Sequence, residues 1–181
     1  MNFDFSDDQN VLRNEVRKFL TKESPVTVTR SVIDQAQTHA ESVWQGLGEL
    51  GITTLMLPEA CGGIGLGAME LCVVAEEVGR QLGALPLAST LYLATQTVLL
   101  GSSSAQQIKW LSRVATGTKA TLAAPLDAPF NVSQLPKFDG QHITGTAGLV
   151  MDGGCADIAV VLAQNSQGQA CMVLIDVNES V

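Results

Sequence analysis

Cations are scarce in this chain. Ten Lys and Arg stand against eighteen Asp and Glu, giving a formal net charge of −8 and a pI near 4.6. No basic cluster occurs, and a nucleic-acid footprint needs clustered cations to neutralise phosphates. The same lack excludes membrane-surface binding through a basic amphipathic helix. The longest apolar run, around Leu85 to Leu100, is interrupted by Pro86, Ser89, Thr90 and Gln96 and falls short of a spanning helix. Ahead of Ser6 there is neither a basic segment nor an apolar one, so no secretory signal is expected. Cys61, Cys72, Cys155 and Cys171 form no CxxC pair, so they are expected to be buried or partly buried free thiols in a cytoplasmic protein. His39 and His142 have no ligand-type residue at metal-binding spacing, and each is expected to be a lone, exposed histidine rather than a metal ligand. No Ser-His-Asp order, GxSxG or phosphate-loop pattern is present.

What the chain does contain is apolar. Hydrophobic residues make up 46% of the 181 positions, and the 17 glycines raise the combined share above that of an ordinary soluble domain. Charged residues reach only 15%, where about 25% is usual. A disordered tail or a coiled coil is excluded. This is more apolar surface than a self-contained monomer of this length needs, so a partner, an oligomer or further chain is expected.

The pattern changes period near Gly117. Before it, helical spacing dominates. Ser6 and Gln9 bracket a capping box, and Leu12, Val16, Phe19 and Leu20 follow on one face. A second helical stretch is expected over Val28 to Leu50, a third over Ala68 to Leu82, a buried helix over Ser89 to Leu100, and a fifth over Ser104 to Ala115 with Ile108, Leu111 and Ala115 inward. After it come short β-rich runs at Lys119–Leu126, His142–Val150, Asp157–Gln164 and Ala170–Val177. Helices followed by strands indicate an α+β fold: an all-α helical domain over 1–117, then a partial antiparallel β domain over 118–181. The sheet is expected to be unfinished, with an open edge.

Gly62-Gly63-Ile64-Gly65-Leu66-Gly67-Ala68 formally satisfies a dinucleotide fingerprint, but such a site needs a strand leading into the turn and an acid about twenty residues on. Pro58 to Cys61 separate the extended Ile52–Leu57 from the glycines, and Gly83 to Ala88 offer no acid. A sharply turning loop packed close to its neighbours is the expected role. Glu76 and Glu77 are adjacent and therefore face different ways on their helix, which suits packing or solvation better than paired acid–base work.

Several strings, in order, resemble the acyl-CoA dehydrogenase family of flavoproteins. They are Asn2-Phe3-Asp4-Phe5-Ser6-Asp7-Asp8-Gln9 at the first helix start, Trp44-Gln45-Gly46-Leu47-Gly48-Glu49-Leu50-Gly51, Pro58-Glu59-Ala60-Cys61-Gly62-Gly63-Ile64-Gly65-Leu66-Gly67, and Glu76-Glu77-Val78-Gly79-Arg80. Gly145-Thr146 and Asp152 to Asp157 continue the series. The resemblance implies a helical domain, a middle β domain and a C-terminal helical domain, of which this chain would hold the first, part of the second and none of the third. It implies FAD as cofactor, an acyl-CoA substrate in fatty acid or steroid degradation, an electron-acceptor flavoprotein, and a homo- or hetero-oligomer with another subunit of the family. The glutamate base of the family belongs to the third domain, so no catalytic residue is assigned here.

By the same resemblance, Leu122, Ala123, Val150 and Met151 fall where the family contacts flavin, and Leu91 and Thr95 fall on a helix lining the acyl cavity. Here Ala123, Ala124 and Met151 replace side chains that carry hydrogen-bonding groups in the family. The Gly83 to Thr90 stretch resembles members built from two unlike subunits, only one of which keeps a full flavin site. Three readings follow: a subunit or fragment of an FAD-dependent acyl-CoA dehydrogenase, a flavin-poor structural subunit of a heteromer, and an oxidase-type flavoenzyme of the same fold.

Overall fold

A computed structural model describes residues 4–125 and 130–177. Asn2 and Phe3 of the first string, Leu126 at the end of the first expected strand, and the chain end at Val181 lie outside the described residues. The chain divides into two compact units, Met1–Leu87 with Ile108–Gly117, and Ala88–Gln107 with Thr118–Val181.

The first unit is helical. Helix α1 (Asp7–Glu23) opens with the expected box: Ser6 Oγ accepts from the Gln9 N–H at 3.2 Å, and Gln9 Oε1 accepts from the Ser6 N–H at 3.0 Å. The single stretch expected over Val28 to Leu50 is instead two helices, α2 (Val26–Asp34) and α3 (Glu41–Glu49). Between them Ala36 takes φ 52°, and the Ala40 N–H donates to Ala84 O at 2.8 Å. That partner lies far along the chain, so helical periodicity carries no trace of the break.

The segment expected to be extended, Ile52–Leu57, opens with a 3₁₀ turn over Ile52–Thr54. The glycine loop folds back onto it. Ile64, Gly65 and Leu66 donate their N–H groups to Thr54, Leu57 and Leu55 carbonyls at 3.1, 2.9 and 2.7 Å. A Cβ on Gly63 would sit 1.9 Å from Leu57 O, so only glycine permits this approach. No strand leads into the loop, and α4 (Ala68–Arg80) follows it.

Helix α1 packs on α4 through a ladder of polar pairs. Gln9, Arg13, Arg17 and Thr21, four residues apart, meet Glu70, Glu76, Glu77 and Gln81 in that order. Both sets advance together, so the two helices run in the same direction. Helix α6 (Ser104–Ala115) matches its expected bounds and, at Leu111 but not at Ile108, its expected face. Trp110, Leu111 and Val114 are buried, whereas Ile108 is 47% exposed.

In the second unit, Ala88–Ala94 form a π-helical turn that runs into α5 (Thr95–Gly101), in place of one regular α-helix. The sheet is mixed, where an antiparallel one was expected. Its strands are β1 (Ala120–Ala123), β2 (Lys137–Phe138), β3 (Ile143–Thr144), β4 (Ile158–Asn165) and β5 (Ala170–Asp176). Strand β4 is central. β5 pairs antiparallel along one edge, while β1 and then β2 pair parallel along successive stretches of the other. This dual pairing explains why β4 reads as a near-continuous apolar run from Ile158 to Ala163. The run expected over His142–Val150 shrinks to β3, because Gly145 turns at φ 128° against Pro136. Ala123, Ala159 and Val161 form a core cluster on which Ile143, Ala147, Val150 and Ile175 pack.

No helix among the described residues is long and apolar enough to cross a membrane.

Candidate functional site

The four residues singled out for flavin are brought together in the second unit. Val150 packs against the cluster that contains Ala123. Thr121, next to Leu122 on β1 and only 2% exposed, donates from Oγ1 to Met151 O at 2.6 Å. Alternation along the strand puts Thr121 and Ala123 on one face and Leu122 on the other. The side chains of Ala123 and Val150 belong to the sheet core, Leu122 is half-buried, and Met151 is 50% exposed. Leu149, just before the turn, is 90% exposed.

None of these side chains carries an N–H or O–H. They offer the FAD implied by the resemblance an apolar edge, Leu149 and Met151, and backbone groups at Leu122, Ala123, Val150 and Met151. The Met151 carbonyl is already committed to Thr121. The site therefore suits the face of a flat ring better than its heteroatoms.

The turn from Val150 to Cys155 is held at several points. The Gly153 N–H donates to Val150 O and the Cys155 N–H to Asp152 O, at 3.3 and 3.1 Å. Asp152 takes φ 54°, and its Oδ2 accepts from Ser89 Oγ at 2.7 Å. Ser89 sits in the π-helical turn and is fully buried. Its neighbour Thr90 bonds β1 reciprocally: Oγ1 donates to Ala120 O and accepts from the Ala120 N–H, both at 3.1 Å. In the sequence, Ser89 and Thr90 stand as interruptions of an apolar run and as the end of the Gly83 to Thr90 stretch. Nothing local points to their partners 63 and 30 residues away.

Leu91 and Thr95, the residues singled out for substrate, are 3% and 1% exposed in the same helical segment. The Thr95 hydroxyl is buried without a hydrogen-bond partner, unlike Thr90 and Thr97, whose hydroxyls are bonded. Neither residue lines the cavity of about 50 Å³ bounded by Ala123, Pro125, Leu135 and Ala147, nor the one of similar volume between Val98, Val160 and Met172.

The adjacent glutamates separate as their spacing requires. Glu76 is exposed and bonded to Arg13, whereas Glu77 is fully buried. Arg17 donates to Glu77 from Nε and Nη2 at 2.8 and 2.6 Å, and Arg80 Nε donates at 3.1 Å. The Arg17 bonds hold this carboxyl below the usual range, against burial that pushes it up. With its charge committed to arginines, Glu77 is structural. Its burial was the feature that sequence reasoning missed, although the four-residue spacing of Gln9, Arg13, Arg17 and Thr21 carried the signal.

The other candidates resolve simply. All four cysteines are free, but Cys72 is exposed, contrary to expectation, because it falls on the outer side of α4. Burial pushes the Cys61 and Cys155 thiols up, which disfavours the reactive thiolate. His39 is not exposed as expected. Its side chain is 9% exposed and contacts Thr38 Oγ1 at 3.0 Å and Glu41 Oε2 at 2.6 Å. His142 is exposed, beside Asp139. Among the described residues no three His, Cys, Asp or Glu side chains gather as a metal site.

The model of the acyl-CoA dehydrogenase N-terminal domain matches residues 6–118. Human mitochondrial very long-chain specific acyl-CoA dehydrogenase is 32% identical over 174 residues, covering 86% of this chain and 26% of the relative. Acyl-CoA dehydrogenase FadE28 of Mycobacterium tuberculosis is 34% identical over 128 residues, covering 68% and 37%. Among solved structures, the Tcur3481-Tcur3483 steroid acyl-CoA dehydrogenase superposes with a TM-score of 0.76 at 26% identity, covering 95% of this chain and 48% of that one. The chain thus spans between about a quarter and a half of the length of the relatives it matches.

Proposed function

The chain belongs to the acyl-CoA dehydrogenase family, and from that premise we propose that it forms the N-terminal helical domain and the start of the β domain of a subunit of an FAD-dependent acyl-CoA dehydrogenase. The reaction is α,β-dehydrogenation of an acyl-CoA thioester in lipid metabolism. FAD, when bound, supplies a hydride acceptor. Within this chain, the backbone of Leu122, Ala123, Val150 and Met151 would hold it, and Leu91 and Thr95 would wall the acyl tail. A proton-abstracting base would come from chain beyond these residues. Partner subunits and an electron-acceptor flavoprotein complete the reading. The family match ending at residue 118 supports a domain boundary at 117/118.

The observation that carries the proposal is the Thr121 to Met151 bond, which joins β1 to the 150–155 turn and gathers the four cofactor residues. A second reading, a flavin-poor structural subunit of a heteromer, is favoured by the absence of side-chain donors at Ala123, Ala124, Leu149, Val150 and Met151. Visible absorption of the parent polypeptide, purified alone and then with its partner, separates the two. Flavin bands at about one per chain in the polypeptide alone support the first. Bands at about one per pair, only after the partner is added, support the second. Absence of flavin from both preparations overturns both.

A further inference from the structure

Two buried hydroxyls from different elements converge on one turn. Thr121 on β1 holds the Met151 carbonyl, and Ser89 on the π-helical turn holds the Asp152 carboxylate. Both donor residues are buried, at 2% and 0% exposure. Between them they fix two consecutive residues of a segment that has no strand partner of its own, since β3 ends at Thr144 and β4 begins at Ile158. Asp152 takes φ 54°, a left-handed conformation that Asp enters more readily than most L-residues.

The element that delivers Ser89 is itself unusual. π-Helical turns are rare, cost helix stability, and occur often at functional sites. Here neighbouring residues of that turn serve different partners. Ser89 reaches Asp152 while Thr90 bonds both backbone groups of Ala120. One turn of helix thereby ties the start of β1 to the 150–155 turn. Leu149 at 90% and Met151 at 50% exposure flank Val150, whose side chain is anchored in the core. An apolar edge exposed to this degree is stable in one place only if its backbone is held, and these two bonds hold it.

We propose that Ser89 and Thr121 are positioning residues that clamp the Val150–Cys155 turn so that its Leu149–Met151 edge meets the flavin ring. The inference rests on the reading that this turn contacts FAD. It gives the hydroxyls of this chain an indirect role: they set the backbone, and the backbone and apolar side chains meet the ring. Pre-organisation of this kind acts on affinity by reducing what must be ordered on binding.

The test uses the full-length polypeptide, assembled with its partner where a partner is required for flavin retention. Thr121→Val removes the hydroxyl at nearly constant shape, Thr121→Ser restores it, and Ser89→Ala removes the second bond from a different element. FAD affinity is measured by titration of flavin fluorescence, and the visible bands of the bound flavin are recorded. Melting temperature serves as the fold control. We expect Thr121→Val and Ser89→Ala each to weaken FAD binding about tenfold or more and to shift the flavin bands, with Thr121→Ser close to wild type. Hydrogen exchange across 149–155 should rise in the two weakened variants. Unchanged affinity and bands in Ser89→Ala and Thr121→Val, with wild type binding FAD normally, overturn the clamp and leave the flavin reading standing. A wild-type assembly that binds no FAD overturns the flavin reading, and the clamp with it. Should Thr121→Val fail to fold, Ser89→Ala decides.

Discussion

Arg17 reaches Glu77 with two nitrogens of one guanidinium, Nε at 2.8 Å and Nη2 at 2.6 Å, and places a fully buried carboxylate between α1 and α4. A buried charge persists only when paired, because taking it from water is otherwise prohibitive. Arg80 supplies the next partner from one turn along the same helix.

Acid stability follows from this pair. The folded pKa of Glu77 lies below its ordinary value near 4.3, so its contribution is fully present above that value and is lost as pH falls through the folded one. Arg17→Met removes the largest cause of the depression. The acid-unfolding midpoint, followed by Trp44 and Trp110 fluorescence, should move to higher pH. A midpoint identical to wild type would show that Arg80, with Arg13 Nε at 3.8 Å, sustains the charge without Arg17. Glu77→Gln, which keeps the shape but not the charge, should lose about 1.5–3 kcal/mol at neutral pH in denaturant titration.

Two threonines one turn apart should respond oppositely to the same change. Thr90→Val strips both backbone groups of Ala120 of their partner, and a loss of about 1–3 kcal/mol is expected. Thr95→Val removes a buried hydroxyl that has no partner, so stability should hold or rise by about 1 kcal/mol. Equal losses in urea unfolding would contradict the pairing described for each.

The glycine loop gives a steric contrast. Gly63→Ala would drive its Cβ into the Leu57 carbonyl, and a loss of about 3 kcal/mol or more is expected, since backbone must move. Gly65 has φ 71° but open space around it, so Gly65→Ala should lose only about 1 kcal/mol. Thermal unfolding ranks the two, and the reverse order would refute the close-approach argument.

Thiol labelling should distinguish the cysteines. Cys72 is exposed and should react with a chromogenic disulfide reagent within the first phase, while buried Cys61 should react only on unfolding. Peptide mapping of the labelled sites reads the order directly.

Features governed by a few neighbouring residues could be read from the amino-acid order alone. The Ser6–Gln9 box, the bounds of α6 and the apolar central strand β4 each depend on spacing within a turn or an alternation. The glycine loop could also be read, because Pro58 to Cys61 leave no room for a strand ahead of it. The break between α2 and α3 was hidden because the left-handed cap that closes α2 falls on Ala36 and not on a glycine, and the Ala40 N–H finds its partner at Ala84, far along the chain. On α6 Leu111 is inward as expected, but Trp110 takes the place expected for Ile108, because both fit helical periodicity about equally well and packing alone selects between them.

At the candidate site the same division holds. Composition and ordered motifs determined a helical region followed by strands, an acidic and strongly apolar chain, and a family whose chemistry uses flavin. Which residues gather was decided only in three dimensions. Ser89 meets Asp152 across 63 residues, Thr121 meets the Met151 carbonyl across 30, and Arg17 meets Glu77 across 60. The Ser89 and Thr121 hydroxyls and the Arg17 guanidinium each bond a residue outside their own helix or strand, which local spacing does not specify. Each partner is chosen when burial removes water and leaves one acceptor within reach.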